Sequence, residues 1–338
     1  MTRTYNISAT ILPVILLSTL LFLSTSLYGQ EPQFSQFYAA PIYLNPAFTG
    51  LTPQGRLTTI YRSQWPSLPK SFVSYSAAFD YNIAKYKSGL GLIITYDQAG
   101  SGGLKSFNIA GTYSYNFKIS DKIYVRTGVK GAYANRNYDN SKLIFADQII
   151  RDGASTSVEG GLQQTNSYLD LGAGALIHGE NYWGGLSFDH MNQPNQSLIG
   201  ETTKLPLKMY VHAGYKFVFN KKRFGKKDSE SGLTITGNFK TQLKWDQLDL
   251  GVYYNRDFFT VGVWYRGIPV IKSYQPGYAN NEALILLLGM YFEGVKMGYS
   301  YDITISKLGF VGGANEISLS YEFPRAKVKQ RRVFCPKF

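Results

Sequence analysis

The sequence predicts an all-β fold, a transmembrane antiparallel β-barrel of about fourteen strands, and three observations predict it. Segments of roughly 9 to 16 residues alternate apolar with small or charged residues at period two. The connections between them sort into a short set and a long set, and tyrosine and phenylalanine crowd the segment ends. The 338 residues include 27 Tyr, 21 Phe and 34 Gly, and 44% are hydrophobic against 17% charged. That apolar content suffices to bury a core, which excludes disorder. A mean hydropathy of -0.17 excludes a polytopic helical membrane protein, which needs several runs of about 20 apolar residues.

The first element is a leader. Arg3, an apolar run from Ile11 to Leu23 and small residues up to Gly29 read as a secretory signal peptide over 1–29, cleaved after Gly29. The run is too short to span a bilayer by itself. The full chain carries +13, and without Arg3 of the leader the exported chain carries 34 basic and 22 acidic residues, net +12; such a basic exported chain argues against nucleic acid as partner and suits anionic lipid headgroups or acidic periplasmic proteins. Cys335, the single cysteine, can make neither an intramolecular disulfide nor a thiolate zinc site alone. It reads as a tail residue, or as an exported thiol that couples to a partner.

The second element, 30–55, is aromatic and broken by Pro32, Pro41 and Pro46, so neither one long helix nor a central strand fits it. It is too apolar to hang in water. A fourteen-stranded barrel has a lumen too wide for strand side chains alone, so this segment is expected to fold inward as a plug. Its candidate contact residues are Phe34, Phe37, Tyr38, Asn45, Pro46 and Ala47. The plainer alternative is a strap across the barrel mouth.

The barrel itself occupies 56–323. Val295, Met297, Tyr299, Tyr301 and Ile303 alternate with Lys296, Gly298, Ser300 and Asp302, and Ile317, Leu319, Tyr321 and Phe323 alternate with Ser318, Ser320 and Glu322. The same reading gives strands at 56–64, 71–84, 88–97, 104–118, 122–137, 166–177, 181–190, 206–220, 231–243, 247–255, 259–267, 282–292, 295–305 and 315–323. Odd connections are long, notably 138–165 and 191–205, and even ones are short except for a basic turn at 221–230. An even strand number with long loops at one end is what an outer-membrane barrel requires. A soluble sandwich of the same strand count is the competing architecture, with its apolar faces packed on one another. Tyr61, Tyr96, Tyr113, Tyr115, Tyr133, Tyr138, Tyr253, Tyr254 and Tyr265 near strand ends suit aromatic girdles, and the small and charged opposite faces suit a wet or plugged lumen. With both termini in the periplasm, the odd loops are extracellular.

The last element, 324–338, is a basic periplasmic tail with Arg325, Lys327, Arg331 and Arg332, read as solvated anchoring charge or as a docking face for an acidic periplasmic protein. Candidate partner contacts are these four residues, Trp65 and Pro66 in an outer loop, and Asp147 and Gln148 in the longest loop. Trp65 suits a girdle equally well. Asp147, Gln148 and Asp152 suit a hydrogen-bonded loop brace better than a calcium site. No catalytic, cofactor or metal residue is assigned. Ser187, Asp189 and His190 form the nearest local cluster to a hydrolase triad, but alternation points neighbours to opposite faces.

A resemblance enters at specific residues. Pro32-Gln33-Phe34-Ser35-Gln36-Phe37-Tyr38 with Leu44-Asn45-Pro46-Ala47-Phe48-Thr49-Gly50 resembles the N-terminal signature of the PorP/SprF family of type IX secretion system outer-membrane proteins. Tyr61-Arg62-Ser63-Gln64-Trp65-Pro66, Phe145-Ala146-Asp147-Gln148, Gly298-Tyr299-Ser300-Tyr301-Asp302, Glu316-Ile317-Ser318-Leu319 and Cys335-Pro336-Lys337-Phe338 continue it in order. Asn45-Pro46-Ala47 is also similar to the hatch signature of FadL-like fatty-acid transporters. The resemblance implies a non-enzymatic outer-membrane component in a Bacteroidota-like cell. It would support export or surface attachment of cargo such as gliding adhesins with type B C-terminal sorting domains, with an OmpA-like peptidoglycan-binding protein as a periplasmic associate. The alternative function is a FadL-like channel or transporter for small hydrophobic molecules.

Overall fold

The computed structural model describes residues 31, 33–68, 71–100, 103–139, 144–153, 157, 165–198, 202–224, 227–268, 273–275, 278–306, 309 and 312–323. The leader 1–29 and the tail 324–338, with Arg325, Lys327, Arg331, Arg332 and Cys335, lie outside the described residues. The described residues from Phe34 to Phe323 form one compact unit.

Sixteen strands follow in chain order: β1 (Gly55–Gln64), β2 (Phe72–Ile83), β3 (Ser88–Ala99), β4 (Leu104–Lys118), β5 (Tyr124–Asn137), β6 (Thr165–His178), β7 (Tyr182–Asp189), β8 (Lys208–Phe224), β9 (Lys227–Gln242), β10 (Trp245–Arg256), β11 (Phe259–Gly267), β12 (Ser273–Gln275), β13 (Tyr278–Ala279), β14 (Asn281–Phe292), β15 (Val295–Thr304) and β16 (Ala314–Glu322). All but β12 and β13 form one closed antiparallel barrel in which each strand pairs with its sequence neighbours. The seam closes between the first and last strands, from Arg56 opposite Glu322 to Gln64 opposite Ala314. Closure leaves no unpaired sheet edge, the condition for spanning a bilayer with strands.

The barrel is inverted relative to a water-soluble protein. Along β16, Glu316, Ser318 and Ser320 point inward and are buried, while Ile317, Leu319 and Tyr321 point outward. Along β15 the inward residues include Ser300 and Asp302, and Met297, Tyr299 and Tyr301 lie outside. Ser300 and Glu316 are 0% exposed, whereas Leu288 and Ile317 are 59% and 54% exposed. A wall with this polarity faces hydrocarbon, because in water each square ångström of it would forfeit about 25 cal/mol. The sandwich alternative fails: the apolar faces have no second sheet to pack against. No helix among the described residues is long and apolar enough to cross a membrane.

Outward aromatics form two belts. Tyr61, Tyr75, Tyr133 and Tyr301 sit toward the long-loop end and Phe79, Tyr113, Phe117 and Phe323 toward the short-turn end. Rings touch within the belts, as Tyr61 with Tyr75 at 5.1 Å and Phe79 with Phe323 at 6.2 Å. Tyr253 departs from the expected girdle. Val252 takes the outward position, so Tyr253 turns into the lumen and is buried.

Two boundaries also differ from expectation. Within the expected ten-residue basic turn, 221–224 and 227–230 are strand: β8 and β9 continue pairing from Asn220 opposite Ser231 to Phe224 opposite Lys227. The register sets Lys221 opposite Glu230 and Arg223 opposite Asp228, continuing the antiparallel ladder of the two strands. The loop before β14 carries the small β12–β13 hairpin, too short for alternation to register.

Candidate functional site in the lumen

The N-terminal segment from Phe34 to Leu51 lies among the inward-facing side chains. It contains a one-turn helix α1 (Pro41–Leu44) followed by a 3-10 turn, Pro46–Phe48. Prolines suit both starts, since the missing N–H would be unpaired there anyway. Asn45 joins the two: its Oδ1 accepts from the Ala47 N–H at 2.8 Å. Ile42, Leu44, Phe48 and Leu51 pack with inward Ile93, Leu176 and Trp183 from the wall. The interior therefore has an apolar centre inside a polar wall.

The polar wall holds the segment at intervals. At its start, the Glu316 carboxylate accepts two successive backbone N–H groups, Ser35 at 2.7 Å and Gln36 at 2.8 Å. The Ser35 hydroxyl donates to Asp302 at 2.7 Å and accepts from Arg62 at 2.8 Å and Arg266 at 3.0 Å. Arg62 also bonds Asp302 at 2.9 Å and Glu316 at 3.1 Å, and Arg266 bonds Asp249 at 2.7 Å. Gln36 donates to the Glu316 carbonyl at 2.9 Å and accepts from Ser318 at 2.6 Å and from the Tyr38 hydroxyl at 3.0 Å. Two arginines and three carboxylates from β1, β10, β11, β15 and β16 thus converge on two residues. Burial, with the Glu316 carboxylate and Tyr253 adding to it, raises the Tyr38 phenol well above its ordinary 10, so it stays a hydrogen-bond donor.

The segment then crosses the barrel. Asn45 Nδ2 faces the carbonyls of Ala175 at 3.1 Å and Leu186 at 3.2 Å and His212 Nε2 at 3.0 Å, on β6, β7 and β8. Ser187 of β7 donates to the Leu44 carbonyl at 2.8 Å. Turning back along the wall, Arg126 of β5 donates to the Ala47 carbonyl at 3.1 Å, Ser114 of β4 to the Thr49 carbonyl at 2.6 Å, and Gly50 N–H to Asp80 of β2 at 2.9 Å. Asp80 also binds Arg56 at 3.0 Å. Backbone meets backbone at Gly128, where a Cβ would lie 2.3 Å from the Ala47 nitrogen and the Pro46 carbonyl carbon.

All six predicted segment residues come together here. Phe34 is buried and meets Tyr43 edge-on at 5.3 Å, Phe37 meets Trp264 at 5.7 Å, and Tyr38 meets Tyr253 at 6.1 Å. Asn45 and Ala47 are wholly buried and Pro46 is buried with them. The outer-loop candidates lie elsewhere. Trp65 has a positive φ of 55°, donates its N–H to Gly313 at 2.8 Å and packs edge-on against Phe72 at 5.4 Å, and Pro66 beside it is exposed. Asp147 and Gln148 belong to a short helix α2 (Ala146–Ile150), where Ser157 donates to Asp147 at 2.6 Å and Gln148 accepts from the Phe145 N–H at 2.9 Å. These are the bonds of a loop brace, and no group of three His, Cys, Asp or Glu that could hold a metal occurs among the described residues.

Ser187, Asp189 and His190 turn to separate partners: Leu44, Lys130 at 2.5 Å and Asp170 at 3.0 Å. They supply no nucleophile and base in contact.

Sequence reading missed the wall residues that hold the segment. Their signal was present: Arg62, Asp302 and Glu316 each lie within a short motif already singled out by resemblance, and each sits on the inward parity of its strand.

A closed fourteen-stranded barrel with an apolar exterior, two aromatic belts and an internally hydrogen-bonded N-terminal segment defines an outer-membrane β-barrel protein. Residues 26–321 match the family model described as type IX secretion system membrane protein PorP/SprF, and the chain belongs to that family. No curated protein matches it. Among solved structures it is similar to the Pseudomonas putida toluene transporter TodX, at 9% identity and TM-score 0.46 over 88% of this chain and 98% of that one. It is similar to CymD, a monoaromatic hydrocarbon channel, at 11% identity and TM-score 0.44 over 83% and 91%. The third similarity is to Acinetobacter baumannii Omp33, at 8% identity and TM-score 0.40 over 81% and 100%.

Proposed function

We propose that this type IX secretion component is a non-enzymatic, protein-binding barrel whose lumen is kept shut by the N-terminal plug while its long loops hold or guide a secreted cargo. The observation that carries the reading is the Phe34–Leu51 segment, hydrogen-bonded to strands on both sides of the lumen. A channel for small hydrophobic molecules needs a continuous path, which such a segment opposes. Family membership supports cargo of the type IX route, for which we propose adhesins with type B C-terminal sorting domains, as in gliding. Trp65, Pro66, Asp147 and Gln148 are the proposed outer contacts. The basic tail residues Arg325, Lys327, Arg331 and Arg332 are proposed to face an OmpA-like periplasmic partner or lipid headgroups.

Two measurements test this. Purification from the native envelope should bring down a large surface protein, and a clean monomer together with normal adhesin display in a knockout would sink the cargo role. In a planar bilayer the native barrel should conduct ions poorly and a form lacking 30–50 should conduct well; equal conductance would sink the plug.

A further inference from the structure

The short-turn end of the barrel is lopsided in charge. Among the described links, those at 179–181, 257–258 and 293–294 each carry one acid, Glu180, Asp257 and Glu293, and no lysine or arginine. The links flanking β3 and β4 are the reverse. Lys85 and Lys87 lie between β2 and β3, and Lys118 and Lys122 stand at the turn between β4 and β5, against Asp121 alone. These two turns are neighbours, since the Asn116 N–H of β4 donates to the Lys87 carbonyl at 2.8 Å. All four lysines are exposed.

Other bases at this end already have carboxylates. Lys296 pairs with Glu322 at 2.8 Å, and Arg256 lies 4.0 Å from Asp257. Lys118 likewise pairs with Asp121 at 2.6 Å, but Lys85, Lys87 and Lys122 have no carboxylate at ion-pair distance among the described residues. The Lys85 ammonium rests over the Tyr86 ring at 5.4 Å. Apolar side chains stand inside both basic turns, Tyr86 at 62% and Ile119 at 65% exposed. Behind them the outward wall continues through Leu90 on β3 and Tyr113 and Phe117 on β4, all exposed. A soluble acidic protein would meet the lysines and leave the wall behind them uncovered. A phospholipid meets both, its phosphate at the ammonium groups and its glycerol and upper acyl chains at the ring and the isoleucine.

We propose that the β2–β5 side of the short-turn end is a docking surface for anionic phospholipid, with a headgroup phosphate held by Lys85, Lys87 and Lys122 and the acyl chains laid on the wall beside Tyr86 and Ile119. Lipid is the occupant because the patch is continuous with the hydrocarbon-facing wall. A zwitterionic headgroup would bring its own ammonium among the lysines, so the surface selects net negative charge. The selected lipid collects along this one arc, where three bases lack carboxylates. The inference needs only a lipid-facing barrel and is independent of the plug and of any cargo.

The test reconstitutes the full mature chain in nanodiscs of equal parts phosphatidylglycerol and phosphatidylethanolamine, then counts the lipids it retains by native mass spectrometry. The native chain should retain phosphatidylglycerol over phosphatidylethanolamine. A triple variant, Lys85→Ser with Lys87→Ser and Lys122→Ser, should lower that preference at least about fivefold, the factor for one lysine at an anionic surface. The three side chains are exposed, so their replacement empties no core. Arg256→Ser with Lys296→Ser, at bases that already have carboxylates, should leave the preference unchanged. No preference in the native chain, or an equal loss in both variants, would overturn the proposal. So would an intact preference in the triple variant, and if that variant also lost an acidic soluble protein from envelope purifications, these lysines would be a protein contact instead.

Discussion

Glu316 is the residue on which the start of the N-terminal segment turns. It is wholly buried, yet its carboxylate is matched by Arg62 and two backbone N–H groups, and its carbonyl by Gln36. Ionised groups survive such burial only when fully paired. Removing the carboxylate strands its donors, so Glu316→Ala should lower stability by about 3 kcal/mol, because both N–H groups lose their acceptor and Arg62 keeps only Asp302 as a carboxylate partner. The midpoint of denaturant unfolding in micelles reads this directly. An unchanged midpoint would mean that solvent replaces the carboxylate at no cost. The residue scale is also where alternation misleads least: Tyr253 and Val252 are adjacent, and period two puts one inside and one outside whatever the crowding of tyrosines near a strand end.

At the scale of elements, the segment and the strands around it fit by omission of side chains. Gly128 sits where the Pro46–Ala47 peptide presses on β5, and backbone on backbone cannot give way. Gly128→Val should therefore expel the segment while the barrel, whose ladder does not use that side chain, stays folded. Limited proteolysis should cut within 34–51 in the variant and not in the native protein, with barrel mass and β-sheet circular dichroism retained. Continued protection would show that the strand yields.

This fit was only partly legible beforehand. Alternation placed every barrel strand, because lipid outside and a polar interior impose period two on each one separately. The prolines and aromatics of 30–55 announced a segment that shuns water. The partners of that segment were not legible, since Glu316 and Asp302 stand 281 and 267 residues from Ser35 and meet it, together with Arg62 of the first strand, only through closure of the cylinder. The β8–β9 extension was missed for a different reason: a lysine-rich run has the composition of a turn, while the backbone ladder of the two strands runs on through it.

For the whole molecule, the two ends differ in kind. One carries 138–164 and 190–207, and the other carries the two-residue links at 257–258 and 293–294. Both the first and the last barrel strand end on the second side, at Gly55 and Glu322. Protease added to intact cells should reach 138–165 and 191–205 before any short turn, and first cleavage near 225–226 would invert the assigned topology.

The Ser35–Gln36 anchorage carries a consequence for biogenesis. A nascent polypeptide emits these two residues some 280 positions ahead of Glu316, their acceptor on the terminal strand. Until that strand arrives and the seam zips, the beginning of the chain has nowhere to dock, so a product truncated before β16 is left with a dangling head. Closure of the seam and seating of the head are thereby one event.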